Sequence, residues 1–504
     1  MNRVLSKRRP VDRRERPSKN RAFLDQVYQG EDDVSARDFQ DNPRECCGIV
    51  GVFGVRNAAS VVYRGLFALQ HRGQESAGIV GSDSDKIRSR KGLGLLSEAI
   101  GIADLEELKG HLAIGHVRYS TTGAKRIQNI QPLVLEYSQG LVAIAHNGNL
   151  VNALSIRRRC EANGSIFQTG TDSEVLVHLM ARPQCAGKQG SLSSCLEELK
   201  GAYAFLILDK NSVTAIRDPH GFRPLCLGRL ESGVVFASET CALDLVGAQY
   251  VRDLGAGEIL RMDAMGWHSE RMECPSSESR CIFEHIYFAR PDSNVFGENV
   301  HQVRMALGRR LARDHPVDAD IVTAVPDSGN SAAIGYSHET GIPLDRGFIK
   351  NHYVGRTFIM PNTREGTVEL KLNVVREAVQ GKRVVVVDDS IIRGTTSKSR
   401  FGLLRKAGAK EIHVRISSPP CRNPCFFGID FPSKSELIAG NKSEEEIRDF
   451  LEVETLRYQS VEGLLSAVKE PRHYCTACFS GKYSIQPQQP LHKQILENIL
   501  DGDI

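Results

Sequence analysis

Apolar and polar positions alternate over short distances in the first half of the chain, from residue 47 to about residue 250. The segment from Cys47 to Gly54 combines glycine with β-branched residues, and this composition predicts a strand. The same half contains further predicted elements: strands over 113–117, 141–146, 202–208, 212–217 and 234–238, and amphipathic helices over 58–69 and 173–180. Many short strands with few intervening helices predict a β-rich, layered first domain.

A different pattern begins after a polar link around residues 275–281. From there strands alternate with helices: strands over 321–325, 384–387 and 412–416, and helices over 331–336 and 398–406. This alternation predicts an α/β domain with a parallel sheet. The valines from Val384 to Val387 predict a strand buried on both faces, as is usual inside such a sheet. A chain of 504 residues is also too long for one ordinary core, so at least two domains are expected.

Two adjacent carboxylates, Asp388 and Asp389, follow these valines. They fall at the carboxyl end of the predicted strand, where open α/β sheets place their ligands. A polar loop then leads into the predicted helix, and a helix N-terminus can hold a phosphate through its backbone N–H groups. The segment therefore predicts a ligand with both sugar hydroxyls and a phosphate. The alternative is a buried strand ending in a capped turn, which does not account for two carboxylates so close together, since like charges repel.

Charge is concentrated at the start of the chain. The net charge is +4, yet the first 21 residues carry nine Lys and Arg against two acidic residues, so the remainder is slightly acidic. No general nucleic-acid surface is predicted. Residues 1–46 are expected to be a disordered or removable leader. With no apolar run that could span a bilayer and no signal-peptide core, we expect no membrane association and a cytoplasmic location; a transit peptide is the weaker alternative.

The thirteen cysteines do not predict a disulfide framework, because no secretion signal accompanies them. Five are expected to be plain core thiols: Cys160, Cys185, Cys195, Cys226 and Cys241. Another set ends in Cys475 and Cys478, whose two-residue spacing lets two thiolates bind one metal centre. Four thiolates suit either an iron–sulfur cluster or zinc, and four independent core cysteines are the third possibility.

Cys47 stands directly after the expected leader and before Gly48. If the leader is removed at this point, Cys47 carries a free α-amine that titrates near neutrality and can take the thiol proton. Cys46 could instead become the new N-terminus, but the spacing to Gly48 and the following strand favours Cys47. By itself the Cys-Gly start is weak evidence, since a buried structural cysteine is the default.

Four further motifs accompany Cys47: QHRGQESAG at 70–78, GHVRYST at 115–121, HNGNL at 146–150 and TDSE at 171–174. Together and in this order they resemble the glutaminase domain of the N-terminal-nucleophile amidotransferases, which implies an αββα sandwich. The chain departs from that family at Cys46, where an acidic residue is usual.

The resemblance assigns roles within this domain. Arg118 is expected to hold the glutamine α-carboxylate, for which a bidentate guanidinium is suited, and Asp172 its α-ammonium. The Asn147 side chain and the Gly148 N–H are expected to form the oxyanion hole. Taken singly, each motif has an ordinary alternative: Asn147-Gly148 is a strong hairpin-turn signal, and Arg118 or Asp172 could be a surface ion.

The segment around Asp388 resembles the phosphoribosyl-pyrophosphate (PRPP) loop of type I phosphoribosyltransferases. The motifs IYFARPDS at 286–293 and IKNHYVGRTF at 349–358 accompany it. Joined to a glutaminase domain, they make the chain after residue 45 similar to the amidophosphoribosyltransferases. That resemblance implies a pentosyltransferase in which glutamine releases ammonia, and ammonia passes through an internal channel to displace pyrophosphate at C1 of PRPP. The product, 5-phosphoribosylamine, is the first committed intermediate of purine biosynthesis.

Further site residues follow from this resemblance. Asp388 and Asp389 would bind the ribose hydroxyls and Mg²⁺, a hard cation with oxygen ligands. Ser328 would offer a magnesium-side hydroxyl, although the second loop hydroxyl of several relatives is Gly329 here. The 5-phosphate would be held by Arg393, Gly394, Thr395, Thr396 and Ser397. A lid that excludes water would carry Lys350, Tyr353 and Arg356, although a solvated turn is the plainer interpretation of that basic loop.

The resemblance also implies a [4Fe-4S] cluster with four ligands: Cys281, Cys425, Cys475 and Cys478. It implies a homo-oligomer, commonly a tetramer, and feedback inhibition by purine nucleotides. The expected domains are a glutaminase domain over 47–275, a phosphoribosyltransferase domain over 276–474 and a cysteine-bearing tail over 475–504.

Two other functions are alternatives to this one. Another glutamine amidotransferase, such as one making glucosamine phosphate, would carry sugar-phosphate isomerase motifs, and the segment around Asp388 argues against it. A PRPP-sensing regulator would need a module that reads nucleic acid, and the basic leader is the only candidate for one.

Overall fold

A computed structural model describes residues 47–119, 126–182, 192–351, 372–429, 431 and 433–486. Within these residues, the first half forms strands numbered in chain order: β1 (Gly48–Phe53), β2 (Ser76–Ser82), β3 (Ile87–Leu93), β4 (Leu112–Arg118), β5 (Leu133–Tyr137), β6 (Gly140–Leu150), β7 (Gly201–Leu208), β8 (Val213–Arg217), β9 (Cys226–Leu230), β10 (Gly233–Ala237), β11 (Gln249–Asp253), β12 (Glu258–Asp263) and β13 (Gly266–Arg271). They form one sheet in the order β11-β9-β10-β1-β4-β2-β3 and a second in the order β13-β12-β8-β7-β6-β5. The pairings within both sheets are antiparallel.

Helices cover the outer faces of these two sheets. They are α1 (Ala58–Ala68), α2 (Leu96–Ala99), α3 (Ile102–Glu107), α4 (Ala153–Ala162), α5 (Glu174–Met180), α6 (Leu192–Leu196) and α7 (Thr240–Val246). One apolar cluster joins the first sheet to α1 and α7, another joins the second sheet to α4, α5 and α6, and a third lies between the sheets. This arrangement confirms the expected αββα sandwich.

The second half contains short β14 (Arg280–Cys281), β15 (Asn294–Val295) and β16 (Glu298–Asn299), then β17 (Ile321–Ala324), β18 (Phe348–Lys350), β19 (Leu372–Val374), β20 (Arg383–Asp388), β21 (Glu411–Ile416), β22 (Thr455–Tyr458) and β23 (Tyr474–Cys475). Its helices are α8 (Val300–Asp314), α9 (Asn330–Thr340), α10 (Arg376–Val379), α11 (Thr395–Lys406), α12 (Ile438–Asn441), α13 (Glu444–Leu451), α14 (Val461–Leu465) and α15 (Ala477–Ser480). One π-helical turn covers Glu284–Phe288, and 3₁₀ turns cover Ile127–Asn129 and Pro471–His473.

The centre of this half is a parallel sheet in the order β17-β20-β21-β22, which confirms the predicted phosphoribosyltransferase-type domain. Its four consecutive valines are fully buried and divide between two apolar clusters on opposite faces. Val384 and Val386 pack on one face, Val385 and Val387 on the other. This is the two-sided burial that the valine run predicts. Because β17 and β20 are parallel neighbours, the loops that follow them lie at the same edge of the sheet.

Several predicted bounds need correction. Helix α11 begins at Thr395, so three candidate phosphate-binding residues form its first turn. Strand β6 continues to Leu150, which places Asn147 and Gly148 inside a strand and excludes the hairpin-turn interpretation. The domain boundaries at 275 and 474 remain predictions.

Four of the cysteines predicted to be plain core thiols fall within the described residues. Cys160, Cys226 and Cys241 are buried and free, as expected. Cys195 is buried but disulfide-bonded, so the prediction of a free thiol is wrong there. Cys185 lies outside the described residues. In the described part of the chain, no helix combines the length and apolar character needed to cross a bilayer.

Candidate active sites

Cys47 immediately precedes β1, at one end of the first sheet. Gly48 pairs with Val117 of β4, so Cys47 and Arg118 lie at the same end of neighbouring strands. The Cys47 thiol donates a hydrogen bond of 3.6 Å to the carbonyl oxygen of Tyr119. Burial raises the pKa of the Cys47 thiol, although the Tyr119 hydrogen bond and the charge of Arg118 oppose the increase. The thiol is therefore protonated near neutral pH and needs a base before it can act as a nucleophile.

Asn147 and Gly148 lie in β6, paired with Ala204 and Tyr203 of β7. The Asn147 side chain is 1% exposed, and within the described residues its Nδ2 has no hydrogen-bond partner. Buried donors are normally paired, so an unpaired one marks a place where a ligand oxygen can bind. Gly148 has φ of 151°, and a Cβ at this position would lie 2.0 Å from the carbonyl oxygen of Ala202. Glycine is therefore required beside the amide donor.

Asp172 precedes α5 and is buried against β6. Its Oδ2 accepts a 2.9 Å hydrogen bond from the backbone N–H of Leu150, and its Oδ1 accepts one of 3.2 Å from the Ser173 hydroxyl. Burial alone would raise the pKa of Asp172, but His146, at 3.6 Å, and the two hydrogen bonds hold it below its ordinary value. The carboxylate is therefore ionised and suited to an ammonium group.

The two sheets are tied together beside this site. The ring Nε2 of His116 in β4 lies 3.1 Å from the carbonyl oxygen of His146 in β6, and both histidines are buried. Arg118 ends β4 and is also buried. The charges of Arg118 and Asp172 both act on the Cys47 thiol. The structure thus brings together the predicted nucleophile and both predicted glutamine-binding residues.

The acidic pair lies at the carboxyl end of β20, where the sequence predicts it, and both residues are buried. Burial and the adjacent charge of Asp389 raise the pKa of Asp388 well above its ordinary range, while Arg400, 3.4 Å away, opposes the shift. The Asp389 backbone N–H donates to Asp388 Oδ1 at 2.9 Å. A cation or hydroxyl-bearing ligand would relieve the repulsion between the two carboxylates.

Helix α11 starts directly behind this pair. Gly394 precedes it with φ of +83°, and a Cβ there would lie 2.7 Å from Ile438 Cδ1. Thr395, Thr396 and Ser397 form the first turn, where backbone N–H groups point out of the helix. Gly394 has no side chain with which to cap this end, so the twelve-residue helix presents a phosphate-type N-terminus. Arg393 donates to Glu436 at 3.2 Å.

The loop after β17 carries Ser328, which is half-buried. A Cβ at Gly329 would meet the carbonyl oxygen of Val387 at 2.5 Å, which explains why no second hydroxyl-bearing side chain stands there. Lys350 Nζ lies 2.7 Å from Asp327 Oδ2, so the predicted lid lysine contacts this loop. The other two predicted lid residues, Tyr353 and Arg356, lie outside the described residues.

The four predicted cluster cysteines converge on one region. Cys281 of β14 is the register partner of Cys475 in β23. Burial, with a smaller contribution from the charge of Cys425, raises the pKa of Cys475 to about 12, although a hydrogen bond with the Ala477 backbone opposes the increase. Burial likewise raises the pKa of Cys478, with further contributions from Cys421, Cys475, Cys425 and Cys281.

This donor set has the chemistry of a thiolate site, and metal binding would have to remove the thiol protons. Within the described ranges, however, no group of three or more His, Cys, Asp or Glu side chains is arranged to hold a metal ion. Sequence reasoning did not single out Cys421, because it lacks any spacing motif.

A buried ionic network that the sequence did not predict joins the two halves of the chain. Arg72 contacts Glu239 and Glu284, and all three side chains are fully buried. Arg223 Nη1 donates to Glu284 Oε1 at 3.1 Å. Glu239 also accepts hydrogen bonds from the Arg290 backbone N–H and, at 2.7 Å, from the hydroxyl of Ser293. Arg72 belongs to the QHRGQESAG motif, but nothing in its local sequence identifies a partner about 200 residues away.

Comparison with known proteins agrees with this geometry. Residues 116–245 match a glutamine amidotransferase domain family. The chain is 50% identical to amidophosphoribosyltransferase of Bacillus subtilis (strain 168), an alignment that covers 88% of this chain and 95% of that protein. It is 47% identical to chloroplastic amidophosphoribosyltransferase 2 of Arabidopsis thaliana, covering 92% of this chain and 84% of that one. The corresponding enzyme of Methanocaldococcus jannaschii is also 47% identical, over 87% of this chain and 97% of the relative.

Solved structures give the same result. One described as the allosteric regulatory enzyme of purine biosynthesis superposes with a TM-score of 0.85 at 48% identity, covering 89% of this chain and 99% of the other. Another, glutamine PRPP amidotransferase from B. subtilis complexed with ADP and GMP, has a TM-score of 0.84 at 48% identity. It covers 90% of this chain and 100% of the other.

Proposed function

We propose that two separate sets of residues in this chain divide the reaction between them. The chain belongs to the amidophosphoribosyltransferase family, whose members catalyse the first step of purine biosynthesis, and it catalyses the same step. Glutamine is hydrolysed at Cys47, in the first domain. The ammonia released there attacks C1 of PRPP at the site of Asp388 and Asp389, and pyrophosphate leaves. The products are glutamate, 5-phosphoribosylamine and pyrophosphate.

In the glutaminase half, Cys47 is the nucleophile and its own α-amine, freed by leader removal, is the base. The raised pKa of the Cys47 thiol supports the need for that base. Arg118 binds the glutamine α-carboxylate and Asp172 the α-ammonium. As Sγ attacks the side-chain carbonyl, the oxygen becomes negative and receives hydrogen bonds from Asn147 Nδ2 and the Gly148 N–H. Collapse of this intermediate releases ammonia and leaves a thioester that water then hydrolyses.

In the acceptor half, Asp388 and Asp389 bind the ribose hydroxyls. Arg393, Gly394, Thr395, Thr396 and Ser397 hold the 5-phosphate at the start of α11, where aligned backbone N–H groups and the helix dipole favour an anion. Ser328 and the acidic pair would hold Mg²⁺, which would neutralise charge on the pyrophosphate when bound. Lys350, Tyr353 and Arg356 close over the pyrophosphate and exclude water from C1.

We further propose that Cys281, Cys425, Cys475 and Cys478 hold a [4Fe-4S] cluster with a structural role. The support is the pairing of Cys281 with Cys475 across β14 and β23, together with Cys425 and Cys478, which lie close enough for the charges of the other three thiols to act on Cys478. Iron, sulfide and zinc should be measured in anaerobically purified protein, with Cys475→Ser and Cys421→Ser compared. Iron and sulfide that are lost in C475S but retained in C421S support the cluster. Zinc alone, or neither metal, overturns it.

Assembly and regulation are also proposals. We propose a cytoplasmic homotetramer that purine nucleotides inhibit. Nucleotide inhibition is supported by the similar B. subtilis enzyme, which was solved with ADP and GMP; the tetramer and the location rest on the family resemblance alone. Light scattering of the purified protein tests the tetramer. Inhibition assays with ADP and GMP, separately and together, test regulation, and unchanged activity at millimolar nucleotide would refute it.

The observation that carries the glutaminase assignment is the buried Nδ2 of Asn147, which has no hydrogen-bond partner among the residues that the structure describes. Asn147→Ala should lower glutamine-dependent kcat by about 100- to 1000-fold, the usual cost of removing one oxyanion donor. Activity with ammonium salts as the nitrogen source should be unchanged, because that route does not use the glutaminase site. Glutaminase activity within a few-fold of the unsubstituted enzyme would refute the assignment.

A further inference from the structure

We infer that the backbone of residues 426–428 in the second domain positions the oxyanion hole of the first. We call this segment the 426–428 brace. The inference rests on the proposed role of Asn147 and Gly148, and it adds residues that do not touch glutamine. These residues are Asn149 in β6, Arg223 before β9, and Gly428 in the brace itself.

Two side chains of the first domain bind consecutive carbonyl groups of the brace. Asn149 Nδ2 donates a 2.9 Å hydrogen bond to the Phe426 oxygen, and Arg223 Nη2 donates one of 2.7 Å to the Phe427 oxygen. The Phe427 ring stacks on Phe222, with ring centroids 4.3 Å apart and planes inclined by 24°. The brace is therefore fixed in position by two directional bonds and one ring contact.

Gly428 then packs directly against the candidate oxyanion hole. A Cβ on Gly428 would lie 3.0 Å from the carbonyl carbon of Gly148 and 2.8 Å from Arg223 Nη2. Gly428 also has φ of +91°, a conformation that residues with a side chain rarely adopt. Glycine is thus needed for the two backbones to approach each other.

The supported part of β6 is paired with another strand on one side. Strand β5 pairs with residues 140–144 of β6, whereas β7 pairs with residues 143–150. In the described structure, Asn147, Gly148 and Asn149 thus have a strand neighbour on the β7 side alone. The brace contacts this stretch, so it restricts motion of the backbone that carries the oxyanion donors. Such restriction matters because donors must be held in place before charge develops.

The brace also connects to the acceptor site through the chain itself. The backbone N–H groups of Ser417 and Ser418 donate to the carbonyl oxygens of Asp388 and Asp389, at 2.9 and 3.0 Å. The chain then continues from Ser418 to Gly428. One continuous segment therefore runs from the backbone of the acidic pair to the backbone of Gly148. This arrangement explains how an element of the acceptor domain can support glutamine hydrolysis.

The test is Asn149→Ala in the full-length, processed enzyme, assayed with glutamine and separately with ammonium salts. Glutamine-dependent kcat should fall roughly two- to tenfold, the range expected for one hydrogen bond. The KM for glutamine and the ammonium-dependent kcat should be unchanged. Asn149→Asp should lower glutamine-dependent kcat more than N149A does, because a carboxylate that faces the Phe426 carbonyl oxygen cannot donate a hydrogen bond and repels that oxygen.

The matched control is Asn152→Ala. Asn152 is also half-buried, and its Nδ2 donates to a backbone carbonyl, that of Glu198 at 2.8 Å, within the first domain. N152A should leave both activities unchanged. The inference is overturned if N149A leaves glutamine-dependent kcat intact, or if both activities fall together with the unfolding temperature.

Gly428→Ala, compared with Asn147→Ala, separates a failure of the brace from a failure of the oxyanion hole. Gly428→Ala inserts a methyl group between Gly148 and Arg223, and it should lower glutamine-dependent kcat more than N149A does. If Asn147→Ala abolishes glutaminase activity but N149A and G428A do not alter it, the brace is wrong and the oxyanion hole stands. If N147A is itself without effect, the proposed oxyanion hole fails first.

Discussion

Arg72 of the first domain and Glu284 of the second form an ion pair in which both side chains are fully buried. Arg223 also binds Glu284, so the charge of one carboxylate is shared by two guanidinium groups. Glu239 forms a second ion pair with Arg72. Burying charges is costly unless each is paired and hydrogen-bonded. The network thus ties the glutaminase half to the acceptor half through interactions that cannot be removed singly without a penalty.

Glu284→Gln tests this network through stability. The amide cannot compensate Arg72 and Arg223, so the free energy of unfolding should fall by about 3–5 kcal/mol, as for other buried pairs that lose one partner. Thermal and urea unfolding of the processed enzyme measure the change. The control is Glu107→Gln, which alters the exposed Arg90–Glu107 pair and should leave the transition in place. Equal effects of the two substitutions would show that the buried network is not stabilising.

Much of the acceptor domain is predictable from the sequence because local pattern and final packing agree. The four valines of β20 alternate between two cores, and the acidic pair and α11 follow in the predicted order. The edge strands of the two sheets in the first domain, by contrast, are not predictable from the sequence.

Strand β13 is exposed along its whole length, and β3 is half-buried or exposed. Neither strand carries the alternating apolar pattern by which a strand is recognised.

Asp172 provides a prediction for pH dependence. Burial opposes its ionisation, but His146 and two hydrogen bonds lower its pKa below the ordinary value of about 4. Because the pKa of Asp172 in the folded protein is lowered, the ionised carboxylate is fully present above pH 4. It is lost only as the pH falls through that lowered pKa. Titration of Asp172 should therefore not change the KM for glutamine between pH 6 and 8.

Asp172→Asn should raise the KM for glutamine by about 10- to 100-fold across that range, the value of a charged hydrogen bond. Ammonium-dependent activity serves as the internal control and should be unaffected. A KM in D172N that equals the unsubstituted value at every pH would show that Asp172 does not bind the substrate ammonium group.

Cys47 provides a prediction about processing. Because burial raises the pKa of its thiol, Cys47 is protonated near neutral pH and requires a base. A chain that starts at Cys47 should hydrolyse glutamine. A chain that retains one extra residue before Cys47 should lose at least about 100-fold in glutaminase kcat, because the α-amine is then an amide. Both chains should use ammonium salts equally well. N-terminal sequencing of the processed protein that shows Cys46 first would contradict the assignment.

Gly394 provides a prediction for the acceptor site. Gly394→Ala places a Cβ at φ of +83°, 2.7 Å from Ile438 Cδ1. The left-handed conformation alone costs a residue with a side chain about 1–2 kcal/mol, so the loop before α11 should shift and the KM for PRPP should rise. We expect an increase of roughly tenfold, from the usual relation between free energy and affinity.

The matched control is Gly402→Ala, in the same helix. A Cβ on Gly402 would meet no atom of the described residues within 4 Å, so this substitution should keep the KM for PRPP and stabilise α11 slightly. If G394A and G402A behave alike, the loop before α11 does not bind the 5-phosphate.

The parts of the site that the sequence does not reveal depend on contacts between distant residues. Asn149 and Phe426 are 277 positions apart, and Arg72 and Glu284 are 212 apart. No local spacing marks either pair, because the two members of each pair lie in segments that are far apart in the sequence. At Asn147 and Gly148 the local sequence signal for a hairpin turn, given above as the alternative, does not hold, because pairing with β7 keeps both residues in a strand. Tertiary packing decides in both cases.

One measurement tests most directly whether the glutaminase site and the acceptor site carry out one coupled reaction. It is glutamate release from glutamine by the processed enzyme, prepared anaerobically, with and without PRPP and Mg²⁺. Coupling of the two sites predicts strong stimulation by PRPP, with pyrophosphate appearing in step with glutamate. Glutamate release that is indifferent to PRPP, with no pyrophosphate formed, would contradict the claim that the two sites carry out one reaction.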